Sequence, residues 1–229
     1  MKFDVMTLFP EMFENFIHTS IIGRAGDKKE LVEINPVNIR DFSENKHKRV
    51  DDAPYGGGNG MVMTFQPIYN TYMHLIACSK QKPHVIYMTP QGKVLTQERA
   101  KKLSEIYSEH IIILCGHYEG VDERIIDEIV DEEISIGNYV LTGGELPAMV
   151  LMDSIIRLLP GVLSSDECHL NESLMDGLLE YPQYTRPETI NGKQVPEVLL
   201  SGHHENIEKW RKAQSLLRTE SKRPDLLGK

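Results

Sequence analysis

The sequence predicts an α/β protein built on a parallel sheet and followed by a small helical C-terminal domain. Three observations carry that prediction. Over the first 160 residues, short β-branched runs alternate with longer helical patterns, as in βαβ units. Three short runs within that stretch read as strands, the first two without apolar/polar alternation: His84-Val85-Ile86-Tyr87-Met88, Ile111-Ile112-Ile113-Leu114-Cys115 and Glu133-Ile134-Ser135-Ile136. Such runs suit strands buried on both faces of a parallel sheet. After Pro160-Gly161 the pattern turns polar and aperiodic, and a helical stretch closes the chain.

Taken in order, Phe3 to Phe9 predicts a strand, and Pro10-Glu11-Met12 opens a helix with proline in its first turn. Leu31 to Ile39 is a second, weaker strand, and Gln66-Pro67 starts a helix running towards Cys78. Helices follow the first two apolar strands: Thr96 to Tyr107, with Thr96 as N-cap, and Asp122 to Ile129. A long helix from about Glu145 to Leu159 stops before Pro160-Gly161. The organisation expected is a catalytic domain over 1–162, a flexible linker over 163–176 and a C-terminal domain over 177–229. Within the last, Tyr181 to Gly192 is rich in turn residues, and a helix spans about His203 to Arg218 with Ser201 near its start.

Composition narrows the function classes. A hydrophobic fraction of 40% with 26% charged residues is ordinary for a globular protein. No run approaches the roughly 20 apolar residues of a membrane span, and the N-terminus lacks a secretory signal. Three cysteines, Cys78, Cys115 and Cys168, imply no disulfide framework, so a reducing cytoplasm is expected. The net charge of −9 argues at first against a nucleic-acid partner. Its distribution reverses that: Leu103 to Glu180 holds 17 acidic residues and two arginines, whereas His203 to Lys229 holds seven basic and four acidic residues. A second basic cluster is Lys46-His47-Lys48-Arg49. An RNA backbone responds to local potential, although a single charge cluster is ordinarily a solvated face.

Each apolar strand ends in a loop of special composition: Thr89-Pro90-Gln91-Gly92, then Gly116-His117-Tyr118-Glu119-Gly120, then Gly137 through Pro147. Ligands of open α/β sheets bind beyond the carboxyl ends of the strands. A glycine after a strand is ordinarily a plain turn; three such loops converging on one edge indicate a small-molecule pocket. The chain lacks the spacing of a phosphate loop and of a dinucleotide fingerprint. The Gly56-Gly57-Gly58-Asn59-Gly60 run fits neither and reads as a flexible loop. A pocket lined by backbone groups with few cations suits an adenosine-like ligand, with Glu119 as an acceptor for ribose hydroxyls or, on pattern alone, a solvated surface carboxylate. The histidines, His203-His204 and the Cys168-His169 pair included, show no metal-ligand spacing.

Longer blocks carry a specific resemblance. Leu8-Phe9-Pro10-Glu11-Met12-Phe13, Val50-Asp51-Asp52 with Pro54-Tyr55-Gly56-Gly57-Gly58, the three loops, Asp153-Ser154 with Arg157, Gly177 through Pro187, and Ser201-Gly202-His203-His204 with Trp210-Arg211 resemble the bacterial tRNA (guanine-N1)-methyltransferases. The match runs nearly end to end. It implies a SPOUT-type fold, a parallel sheet with a deep trefoil knot, which general topology rules make exceptional. It implies a homodimer whose active site is shared between chains, with the C-terminal domain on the tRNA anticodon arm. The reaction implied is S-adenosylmethionine-dependent methylation of N1 of the guanine immediately 3′ of the anticodon.

The resemblance places the cofactor against Thr89, Pro90, Gly116, Tyr118, Glu119, Ile136, Gly137, Asn138, Tyr139, Val140, Leu141, Gly143, Gly144 and Pro147. It places tRNA against Asp51, Tyr55, Gly58, Glu180, Arg186, Ser201 and His203. Guanine N1 holds a proton at neutral pH, so methylation calls for a carboxylate base and a cation facing O6. Arg157, on an otherwise apolar helix, is the cation the resemblance selects over a snorkelling surface arginine. Family members present an aspartate before Ser-Phe; here Glu172 holds that position and Leu174 replaces the phenylalanine, with Asp176 as the rival base. His117 stands where arginine is common, which makes a cofactor contact conceivable. Trp210 reads as a packing residue, with base stacking as the alternative. Magnesium is compatible with the family and the acidic middle, but no ligand set is legible. Three competing readings stay open: a non-catalytic RNA-binding module, a methyltransferase for another RNA atom, and, weakly, a nucleotide hydrolase.

Overall fold

A computed structural model describes residues 1–28, 30–77, 79, 81–106, 109–164 and 172–228. Cys78, Tyr107, Cys168, His169 and half of the expected linker (165–171) lie outside the described residues. The chain forms two compact units, Met1–Ser164 and Ser165–Lys229. The first runs β1 (Lys2–Thr7), a 3₁₀ turn (Pro10–Phe13), α1 (Glu14–His18), α2 (Ser20–Gly23), β2 (Glu33–Asn38), β3 (Asp51–Asp52), β4 (Val62–Met63), α3 (Phe65–Ala77), β5 (His84–Val94), α4 (Gln97–Ile106), β6 (His110–Cys115), α5 (Glu123–Ile129), β7 (Glu132–Ser135) and α6 (Glu145–Ile156). The second contains β8 (Thr189–Ile190), β9 (Lys193–Gln194), α7 (Glu197–Leu200) and α8 (His204–Lys222).

Five strands form one sheet in the order β2-β1-β6-β5-β7, and every pairing in it is parallel. The apolar runs are buried on both faces because successive side chains point to opposite sides. Phe3, Val5, Ile86, Met88, Ile111, Ile113 and Ile134 pack on one face with Leu151, Met152 and Ile155 of α6. Met6, Val85, Tyr87, Ile112 and Leu114 pack on the other with Ile68 and Leu75 of α3 and Ile125 of α5.

Several boundaries differ from expectation. β5 does not end at Met88: it runs to Val94, with Met88 and Lys93 both opposite Ile134 of β7. Residues 89–92 therefore bulge out of the ladder, a conformation suited to Pro90, which has no N–H to donate. α6 stops at Ile156, and Leu158 N–H and Leu159 N–H then donate to the carbonyls of Ile155 and Ile156 in a tightened last turn. Thr96 caps α4 as expected, its Oγ1 accepting from Arg99 N at 3.2 Å; Asp122, expected as the first residue of its helix, instead caps α5, its carboxylate accepting from Arg124 N at 3.0 Å.

At the amino ends of β1 and β6 lies a buried polar cluster. Asp4, fully buried, accepts from Asn35 Nδ2 at 2.6 Å and meets His110 Nε2 at 2.7 Å and Lys2 Nζ at 3.2 Å. Burial alone pushes the Asp4 carboxyl up, but the hydrogen bonds from His110, Asn35 and Lys2 outweigh it and hold the group below its ordinary value.

Candidate active site

The carboxyl ends of β5, β6 and β7 open into a cavity of about 310 Å³. Its walls are the 89–92 bulge, the loop after β6 (116–120) and the loop from β7 into α6 (136–144). Of the expected cofactor residues, Thr89, Pro90, Gly116, Tyr118, Glu119, Ile136, Gly137, Tyr139, Val140, Leu141, Gly143, Gly144 and Pro147 line it. Asn138, between two lining residues, is not among them. The sequence reading missed Tyr87 and Glu133, which also line the cavity. Strand alternation signals Tyr87: it lies one residue before Met88, on the face opposite it.

The loops are held by backbone contacts that a side chain would obstruct. Gly144 N–H donates to Gly116 O at 2.9 Å, and a Cβ on Gly144 would sit 2.7 Å from Cys115 Cα. The 116–120 loop is tied on its other side to the strand after the glycine run. Glu119 N–H donates to Met61 O at 3.0 Å, and Met63 N–H donates to Gly120 O at 2.9 Å. Ser135 Oγ closes the third loop, donating to Gly137 O at 2.9 Å.

The cavity's charge is one-sided. Glu119, Glu123 and Glu133 line it, and no lysine or arginine is among its described lining residues. That field favours a ligand carrying positive charge and disfavours a polyphosphate. Burial, and then Glu133, push the Tyr87 hydroxyl up to about 12, so it stays protonated at neutral pH.

The remaining expected residues fall at distinct places. Arg157 caps α6, its N–H donating to Asp153 O at 3.2 Å. Glu172 and Asp176 belong to the second unit, where Met175 N–H donates to Glu172 O at 3.2 Å and Asp176 Oδ1 accepts from Leu178 N at 3.1 Å. Glu180 N–H donates to Ser173 Oγ at 2.9 Å and its carboxylate accepts from Gln183. The described part of the expected flexible linker is thus built of hydrogen-bonded turns. Asp51 lies in β3, while Tyr55 projects fully into solvent beside Gly58. Ser201 and His203 flank the start of α8, and Arg186 is exposed. Trp210 packs near Tyr184, ring centres 6.4 Å apart, and Arg211 lies 4.8 Å over the Tyr181 ring. Among the described residues, no group of three or more His, Cys, Asp or Glu is arranged to hold a metal ion, and no helix is long and apolar enough to cross a membrane.

These features define a class: a parallel α/β protein with an acidic cavity beyond the carboxyl ends of its strands, where ligands of such sheets bind. The whole chain, residues 1–229, matches the family described as tRNA (Guanine-1)-methyltransferase TrmD. It is 67% identical to a tRNA (guanine-N(1)-)-methyltransferase of Ruminiclostridium cellulolyticum over 100% of this chain and 97% of that protein. It is 57% identical to one of Clostridioides difficile, over 100% and 98% of the two chains, and 56% identical to one of Halalkalibacterium halodurans, over 99% and 91%. The chain belongs to the tRNA (guanine-1)-methyltransferase family and is an enzyme of that class.

Proposed function

We propose that this enzyme transfers the methyl group of S-adenosylmethionine to N1 of the guanine immediately 3′ of a tRNA anticodon. One observation supports the donor most strongly: a cavity walled by backbone groups of three loops, carrying three glutamates and no lysine or arginine among its described lining residues. S-adenosylmethionine bears a sulfonium and an ammonium group, which such a field attracts, and its adenosine needs backbone partners rather than cations. When bound, it supplies an electrophilic methyl group.

The protein's part is to make guanine N1 a nucleophile and to hold it in line. Glu172 takes the N1 proton, with Asp176 as the alternative carboxylate, and the freed N1 lone pair forms the bond to carbon as the carbon–sulfur bond breaks. Arg157 faces the negative charge that spreads onto O6. Asp51, Tyr55, Gly58, Glu180, Arg186, Ser201 and His203 make the tRNA contacts in this reading. It also includes the trefoil knot and a homodimer in the cytoplasm whose site draws on both chains. The comparisons support the nucleobase atom and tRNA as acceptor, through the names the relatives carry.

Digesting enzyme-treated tRNA to nucleosides tests the assignment. Mass spectrometry should find 1-methylguanosine as the product. A methyl group on another guanine atom, or on another base, would reject it.

A further inference from the structure

Beneath the cavity wall runs a chain of side chains from three elements. Thr7 Oγ1, at the end of β1, donates to Glu145 Oε1 at 2.7 Å. Glu145 Oε2 meets His117 Nε2 at 3.0 Å. Glu145 is 2% exposed and opens α6; Thr7 is fully buried. The imidazole packs against Phe9, ring centres 4.9 Å apart, and Thr7 Oγ1 also accepts from Phe9 N at 3.0 Å. His117 belongs to the loop after β6, and Glu145 directly follows Gly143-Gly144 of the loop after β7. The two loops also meet in a bridge between His117 and Gly143.

Gly143 fits this arrangement. A Cβ there would collide with His117 Nε2 and come within 2.6 Å of Glu145 Oε2. The glycine therefore lets the backbone of one donor loop pass directly over the His117–Glu145 hydrogen bond. A buried carboxyl group with two partners is costly to leave half satisfied, so the chain holds as a unit.

We propose that Thr7, Glu145 and His117 form a brace that fixes the two loops of the donor cavity in register, making all three positioning residues for S-adenosylmethionine. This rests on the donor assignment above. Thr7 does not line the cavity, whereas His117 does. An effect of Thr7 on donor binding must therefore travel through its hydrogen-bond partners, the Glu145 carboxyl group and the Phe9 backbone that packs on His117, which separates bracing from direct contact.

Calorimetric titration with S-adenosylmethionine, paired with steady-state kinetics and melting temperatures, tests the brace. His117→Phe keeps the ring packing and removes the hydrogen bond; His117→Gln retains an amide able to reach Glu145. Thr7→Val removes only the hydroxyl. The expected result is a donor Kd and donor KM raised about tenfold in His117→Phe, consistent with loss of one buried hydrogen bond to a carboxyl group. Thr7→Val should shift both in the same direction, His117→Gln should recover most of the loss, and kcat should change far less than KM. The double variant should lose less than the two single losses combined. Wild-type enzyme that fails to bind the donor would overturn the donor assignment itself. Wild-type binding with unchanged Kd in Thr7→Val, or a His117→Phe loss that glutamine does not recover, would overturn the brace alone. So would a drop in melting temperature and kcat with donor KM unchanged.

Discussion

Glu172 sits in a turn closed by the bond from Met175 N–H to its own carbonyl. Substituting Glu172→Gln should lower kcat by a factor of about 100 or more, the scale of general-base catalysis, while calorimetry finds donor binding unchanged. Near-normal turnover in that variant, with loss in Asp176→Asn, would move the role to Asp176. The resemblance named Glu172, which holds the aspartate position before Ser173, with Asp176 as the rival; charge and hydrophobic pattern by themselves single out neither. The buried Asp4 was invisible for another reason. A carboxylate inside a strand declares itself only when His110, Asn35 and Lys2 converge on it, and those partners come from 2 to 106 residues away. Asp4 and Glu132 are both held below their ordinary values, Glu132 by Arg99 and His84 against the opposing pull of burial. Groups with depressed native pKa values stabilise the fold above their unfolded values and lose that contribution as pH falls through the native ones. The melting temperature should therefore stay level from neutrality down to about pH 5 and fall below about pH 4. Asp4→Asn should lower it at pH 7 and flatten the acid limb; an unaltered acid limb would contradict the assignment.

At the scale of elements, the loops beyond β5, β6 and β7 were legible because long apolar runs broke abruptly into glycine and proline. What the runs could not show is how closely the loops pack. Gly144→Ala places a Cβ against the Cys115 and Gly116 backbone, where no flexible side chain can yield. It should weaken donor binding and destabilise the first unit by roughly 1–3 kcal/mol, read by calorimetry and thermal melts. Wild-type values for both would show that the loops tolerate separation. The bulge at 89–92 escaped the sequence reading because a strand that leaves and rejoins its sheet resembles a strand that ends. β8 and β9 escaped as well, although Asn191-Gly192 was a usable signal: both residues take positive φ, as a two-residue hairpin turn requires. β3 and β4 are two residues each, too short for any periodicity to register.

For the molecule as a whole, charge is segregated: the cavity beyond β5, β6 and β7 is acidic, while basic residues cluster at 46–49 and along α8. Binding of an RNA backbone releases counterions and so weakens steeply with salt. The KM for tRNA should rise several-fold between 50 and 200 mM salt, on the order expected for a few phosphate contacts, while the KM for the donor stays nearly constant. Equal salt dependence of both would argue against separate donor and RNA surfaces. The parallel sheet was readable from the alternation of short strand runs with helical patterns. Strand order was not, since β6 inserts between β1 and β5 through contacts that no local pattern encodes. The proposed methylation of the guanine 3′ of the anticodon is tested by a pair of tRNA transcripts. One carries guanine at that position and the other adenine, and each is incubated with enzyme and S-adenosylmethionine labelled in its methyl group. Label should enter the guanine transcript alone; label in both, or in neither despite measured donor binding, would contradict the account.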